Sequence, residues 1–199
     1  MIKNIERVTV PEGESGDWKI ERFTVSKKDA ESFNLRCTYS GYGYRYIESG
    51  TYTSLLYRGS VVMSDTRAEV NDHHNLVYHA KGRILLNGLG LGLALQMCAT
   101  KPEVELIEVN EISRDVINLV GPHYYKLFPN KIFHINLADA FIWRPQDKRY
   151  DVVWHDIWNN ICSDNIEAMK KLHRRYGHWT KWQGSWGRSD AEYARRHGL

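Results

Sequence analysis

Gly82-Arg83-Ile84-Leu85-Leu86-Asn87-Gly88-Leu89-Gly90-Leu91-Gly92-Leu93-Ala94-Leu95-Gln96-Met97-Cys98-Ala99 is the stretch on which the fold turns. Arg83 to Asn87 is a short apolar run behind a glycine and reads as a buried strand. Gly88, Gly90 and Gly92 then punctuate a turn where the backbone must bend sharply and can approach a ligand closely. Residues 93–100 read as an apolar helix. Exposed N–H groups at such a helix start favour an anion or a polar tail. A purely structural tight turn is the competing reading of the segment.

Toward the C-terminus the alternation continues. Residues 104–110 read as a second strand, 112–120 as a helix, 132–137 as a third strand, 150–154 as a fourth and 165–176 as a helix. Strands alternating with helices predict an α/β, Rossmann-like, mostly parallel doubly wound sheet. There is room for a fifth strand near 179–186 but not for the sixth and seventh of the complete fold, so the domain is expected to be C-terminally shortened. Its substrate-side wall is then reduced, or is completed by another subunit in a homo-oligomer.

Toward the N-terminus the first sixty residues read as β structure. Trp18 to Val25 alternates apolar with polar, the signature of a half-buried strand. Residues 52–57 and 60–63 are strand-like, with Arg58-Gly59 as the hairpin turn between them. The Tyr- and Gly-rich run 39–46 suits a turn or exposed loop. Thr66 and Glu69 form a possible capping box for a helix over 67–80, ended by Gly82. The expected division is a small N-terminal β-hairpin domain, 1–63, and a Rossmann-like domain, 64–199.

Glu111 ends the second strand, 19 residues after Gly92. An acid there can accept hydrogen bonds from both hydroxyls of a ribose, and a nucleotide-binding βαβ unit places it ~20 residues on. The dinucleotide fingerprint GxGxxG fails, because Leu93 and Leu95 stand where its third glycine belongs. The turn is GxGxG, typical of enzymes of S-adenosyl-L-methionine (SAM), which has no pyrophosphate to cradle. Asp139, just after the third strand, can accept from an adenine amino group, with Ala140 and Phe141 against the ring; a helix N-cap is its other reading. Trp154-His155-Asp156-Ile157-Trp158 falls at the carboxyl end of the fourth strand, where open α/β sheets bind ligands. Asp156 or His155 can accept a proton from an attacking N–H or O–H, and Trp154 and Trp158 can stack on a planar or cationic acceptor. Equally, the tryptophans are core and Asp156 caps the next helix.

At these residues the chain resembles class I SAM-dependent methyltransferases, and more narrowly their spermidine-synthase-like branch. The resemblance spans about half the chain. It rests on Arg58-Gly59-Ser60-Val61-Val62-Met63 leading into a helix, the glycine turn, Val109-Asn110-Glu111-Ile112-Ser113-Arg114-Asp115-Val116-Ile117, Ala138-Asp139-Ala140 and Tyr150-Asp151-Val152-Val153. The layout is also similar to short phage-encoded proteins of this branch. The resemblance implies SAM as cofactor. It implies Gly88, Gly90 and Gly92 beside the methionine part, Glu111 on the ribose, Asp139 and Ala140 at the adenine, and Asp156 facing the reacting centre. Leu91 stands where aminopropyltransferases carry an acid, and Asn159 stands where they carry a second acid after the fourth strand. Two carboxylates would be needed to hold a polyamine and deprotonate it. Methyl transfer is therefore the first expectation. Aminopropyl transfer or another SAM-consuming reaction is the second, and a non-catalytic nucleoside- or nucleic-acid-binding module the third.

Composition fits this picture. The chain has 199 residues, 42% hydrophobic and 26% charged, with seven Trp, twelve Tyr and five Phe, which disfavours a solvated coil. The longest nearly apolar stretch, 89–99, is too short for the ~20 residues of a membrane span. The N-terminus lacks the apolar core of a signal peptide, and three scattered cysteines do not make a disulfide framework, so a reduced, cytoplasmic protein is expected. The net charge is +3, and residues 161–199 alone sum to +4. That basic segment, with aromatics interleaved at 173–182, suits a nucleic-acid acceptor or a solvated face. A small-molecule acceptor is equally open. Asp72-His73-His74 with His79 lacks the spacing of a metal pair, and no metal is expected.

Overall fold

The computed structural model describes residues 7–39, 45–145 and 149–197. Two sheets organise them. The first is an antiparallel meander in the order β1 (Gly13–Ser15), β2 (Trp18–Val25), β3 (Gly50–Tyr57) and β4 (Ser60–Ser64). Arg58 and Gly59 join β3 to β4 with φ of 50° and 78°, the paired left-handed residues of a tight hairpin.

The second sheet is parallel throughout, in the order β7-β6-β5-β8-β9: β5 (Gly82–Asn87), β6 (Val104–Glu111), β7 (Phe133–Leu137), β8 (Tyr150–His155) and β9 (Thr180–Ser185). Helix α4 (Leu93–Ala99) joins β5 to β6, and α5 (Arg114–Leu127) joins β6 to β7. Helix α6 (Asn165–Tyr176) precedes β9, and α7 (Arg188–His197) follows it. All seven residues of α4 are buried, which accounts for a helix apolar on every side. The chain leaves β5 in one direction for β6 and returns to its other side as β8, so the switch point lies between β5 and β8.

Three expectations need correction. The first sixty residues are not all β: α1 (Lys27–Tyr39) is inserted between β2 and β3. Its start carries a capping signal, since Ser26 Oγ accepts from the Asp29 N–H at 3.1 Å and donates to the Asp29 carboxylate at 2.6 Å. The helix over 67–80 is two short ones, α2 (Arg67–Asp72) and α3 (His74–His79), broken at His73. The Thr66–Glu69 capping box does not form. Glu69 reaches back to Ser64 instead, accepting from its N–H and its hydroxyl. The loop expected at 39–46 has its centre, 40–44, outside the described residues.

The two sheets share one core. Val10, Ile20 and Leu55 from the N-terminal part cluster with Leu86, Leu91, Val116, Val120 and Tyr124. Ser15 also donates to Asp115 of α5 at 2.6 Å. The first sheet ends at Ser64 and the second opens at Gly82; we propose the division at 63/64 as the reading of that layout.

A ladder of side chains crosses the parallel sheet near its carboxyl edge. Asn136 donates to Asn110 at 3.3 Å, Asn110 to Asn87 at 2.9 Å, and Asn87 to Nδ1 of His155 at 2.9 Å. His155 Nε2 then donates to Gln183 at 3.3 Å, and Gln183 to the His173 carbonyl at 2.9 Å. The ladder needs His155 neutral, with its proton on Nε2. Burial, and then the neighbouring His173, push the His155 pKa down to about 3. An unfolded histidine titrates near 6.5, so between these values the unfolded chain binds the extra proton. Stability is therefore lost as pH falls from about 6.5 toward 3. Urea denaturation at pH 7 and pH 5 should show a loss on the order of 2 kcal/mol from this residue. In His155→Gln that part of the pH dependence should disappear.

Candidate active site

A cavity of about 420 Å³ opens where the carboxyl edge of the parallel sheet faces the first sheet. Small-molecule sites typically occupy ~300–1,000 Å³ at such switch points. Gly88, Gly90, Glu111, Asp139, Ala140 and Asp156 all line it, together with Trp18, Tyr57 and Met63 from the first sheet.

The floor is the glycine turn. Gly88 has φ of 103°, and a β-carbon there would run into the carbonyl oxygen of Asp156. The turn after β5 and the turn after β8 thus cross backbone to backbone, and only glycine fits the crossing. Gly90 lies under Met63, whose sulfur accepts from the Leu91 N–H at 3.1 Å. Gly92 does not line the cavity. It starts α4 with φ of 77° against the ring of Tyr124, whose hydroxyl donates to the Leu91 carbonyl at 2.9 Å.

Glu111 clasps this turn. One carboxylate oxygen accepts from the Leu89 N–H at 2.9 Å and the other from the Ser113 N–H at 2.8 Å. Burial pushes its pKa up, while the N–H groups of Ser113, Leu89, Ile112 and Gly90 oppose that rise. With one such hydrogen bond from Leu89 and one from Ser113, each oxygen keeps a further lone pair. Asp139 begins a turn rather than a helix: Oδ1 accepts from the Phe141 N–H at 2.7 Å, and its carbonyl accepts from Ile142 and Trp143. Ala140 is buried beside it.

Asp156 does not cap α6, which starts after Asp164. Its Oδ2 lies 3.0 Å from Nε2 of His73. His155 is not brought to the cavity. It is fully buried, and both ring nitrogens belong to the ladder. The proton-accepting role expected of it therefore has no geometric support. The tryptophans part company too: Trp158 lines the cavity, while Trp154 is buried and stacked on Trp182.

Sequence reasoning missed Glu69 and His73, which both line the cavity. A signal was present. Val70, His73, Leu76 and Ala80 recur at helical spacing, and all four are buried, so His73 occupies an apolar face. Burial pushes the Glu69 carboxyl up to about 7 against the hydrogen bonds from Ser64, and the Asp156 charge adds to the rise. Among the described residues, no group of three or more His, Cys, Asp or Glu could hold a metal ion, and no helix is long and apolar enough to cross a membrane.

The sequence matches no family model and no curated protein. Its structure is similar to that of spermidine synthase from Thermotoga maritima, with a TM-score of 0.50, 14% identity, and coverage of 86% of this chain and 52% of that one. A protein-L-isoaspartate O-methyltransferase gives a TM-score of 0.44 at 17% identity, covering 67% of this chain and 36% of that one. The plantazolicin methyltransferase BpumL, solved in complex with a monoazolic desmethylPZN analog and SAH, gives 0.42 at 18%, covering 56% and 42%. The chain thus spans about half the length of that spermidine synthase. The shared feature is the fold, a Rossmann-like parallel sheet preceded by a small antiparallel one.

Glu69 provides a check on the electrostatics. Its folded pKa is raised, so the native state binds the extra proton between about 4.5 and about 7, and stability is lost as pH rises through that window. Relative to wild type, Glu69→Gln should gain about 2–3 kcal/mol of stability on going from pH 5 to pH 8. Denaturant titrations of both proteins at the two pH values measure the difference.

Proposed function

We propose that the chain is a SAM-dependent methyltransferase. The observation that carries this reading is the buried Glu111 carboxylate at the end of β6, clasping the glycine turn in the same cavity as Asp139 and Asp156. The residues fit an adenosyl group. Glu111 has lone pairs left for ribose hydroxyls, Asp139 and Ala140 face the same cavity one strand further on, and Phe141 offers an aromatic surface.

SAM when bound would supply an activated methyl on a sulfonium for in-line transfer. The chain's own part is to hold donor and acceptor in register and to keep bulk water out, which is where most of such a rate enhancement lies. Asp156 would accept a hydrogen bond from the N–H or O–H of the acceptor and orient its lone pair. Trp158 and Trp18 would pack against the acceptor body.

A second reading, aminopropyl transfer from decarboxylated SAM, is favoured by one observation. The cavity is lined by Glu69, Glu111, Asp139 and Asp156, and by no lysine or arginine among the described residues. The carboxylate of SAM would find no lysine or arginine there. Asn159 in the second acid's place weighs the other way. A non-catalytic binding module, a nucleic-acid acceptor met by the basic segment 161–199, a homo-oligomer that completes the wall beside β9 and a cytoplasmic setting remain proposals of the same kind.

Calorimetric titration with SAM, S-adenosylhomocysteine, decarboxylated SAM and NAD tests the reading. Micromolar binding of SAM and its demethylated product, with none of NAD, is the expected result. Preference for decarboxylated SAM would promote aminopropyl transfer, and binding of none of them would sink both. Glu111→Gln, which keeps the shape but offers one acceptor oxygen instead of two, should weaken SAM by about tenfold or more. Unchanged affinity would remove Glu111 from the ribose.

A further inference from the structure

His73 stands at the break between α2 and α3, almost fully buried, with both ring nitrogens engaged. Nδ1 lies 2.8 Å from the Glu69 carbonyl oxygen, and Nε2 lies 3.0 Å from Asp156 Oδ2. A carbonyl can only accept, so Nδ1 carries a proton. Two bare lone pairs cannot face each other at 3.0 Å inside a protein, so a second proton lies between Nε2 and Oδ2. Asp156 makes no other side-chain hydrogen bond among the described residues, which leaves Oδ1 free on the cavity wall.

We infer that His73 is the positioning residue of this site: it shares one proton with Asp156, holds that carboxylate through Oδ2 and leaves Oδ1 to receive the N–H or O–H of the acceptor. The inference rests on the reading that Asp156 faces the reacting centre. The helix break is then functional. A continuous helix over 67–80 would not end a turn at His73, and the break places the ring between the Glu69 carbonyl and the loop after β8.

The charges around His73 support the shared proton. Burial works against the cation, but the hydrogen bond and charge of Asp156, the Glu69 carbonyl and the Asp72 charge outweigh it and hold the His73 pKa above its ordinary value. Asp72, on the same turn, is itself paired with Arg45 at 3.2 Å. The Glu69 carboxyl, on α2, is the other titratable group close by. From β8 the neighbour is the uncharged ring of Trp154, 6.0 Å away. His74, the next residue, is exposed.

The test is nitrogen NMR of the full chain labelled with 15N-histidine, without ligand. His73 is assigned by through-bond correlation to its own backbone, so no variant is needed at a buried position. At pH 7 the wild type should show His73 with both nitrogens protonated, titrating above the ordinary value of ~6.5. Asp156→Asn is nearly isosteric and leaves His73 in place. It should move that titration down by at least about one pH unit and leave a neutral ring with its proton on Nδ1. A neutral His73 in the wild type at pH 7, or a titration that Asp156→Asn does not move, overturns the inference. Because the spectra need no ligand, failure of SAM to bind would count against the proposed function and leave this result standing. A protein that binds SAM with a neutral His73 would do the reverse.

Discussion

A one-way chain of hydrogen bonds holds the carboxyl edge of the parallel sheet in register. From Asn136 through Asn110 and Asn87 to His155, and on through Gln183 to the His173 carbonyl, every link donates in the same direction. Asn87 can donate to His155 only because its own oxygen is taken by Asn110, and that fixes the imidazole tautomer. Such a network is worth keeping only if it is complete, since each buried polar group left alone would cost about 1–3 kcal/mol. The strands it ties together are those whose ends carry the cavity: β5 leads into Gly88, β6 ends in Glu111, β7 leads toward Asp139, and β8 leads into Asp156. The ladder lies next to the site without belonging to its surface. That is why a histidine beside the loop after β8 is structural while another, 82 positions earlier in sequence, faces Asp156.

The order of elements was legible from local signals. The glycine turn after an apolar run, the alternation of strands with helices and the Arg58-Gly59 hairpin depend on residues close in sequence. The structure places each of them as read. Helix α1 was missed because its apolar face is thin. Of its residues only Ala30 and Cys37 are buried, so the helical period is faint and the Ser26–Asp29 cap was the better clue. The lining of the cavity was legible where one short segment supplies it, as with Gly88, Gly90, Glu111 and Asp139. It was not legible where the partner is distant. Nothing near His73 announces Asp156, and nothing near Asp156 distinguishes it from His155 until burial separates them.

The glycine turn is also held from outside the parallel sheet. Met63 of β4 presses on Gly90 and takes the Leu91 N–H through sulfur, a weak acceptor in a place where an oxygen would bind harder. Trp18, Leu55 and Tyr57 form the facing wall. The antiparallel sheet thus supplies one wall of the cavity. The shared core through Ile20, Leu55 and Val116 makes that wall rigid enough to define a cavity.

The acids of this cavity coexist because each is handled differently. Glu111 lies among backbone N–H groups, Asp139 spends one oxygen on its own turn, and Asp156 is paired with His73. Glu69 has no such partner of opposite charge at hand beyond His73, and burial brings its titration to about neutral pH. Around pH 7 the charge of the pocket therefore changes with the protonation of this one carboxyl group. A cation entering would favour the ionised form of Glu69 and expel its proton, whereas a neutral ligand would leave the proton in place. The same linkage read backwards makes the affinity for a cation rise with pH across that range, and it ties recognition in this cavity to a residue of α2 held by Ser64 at the end of β4.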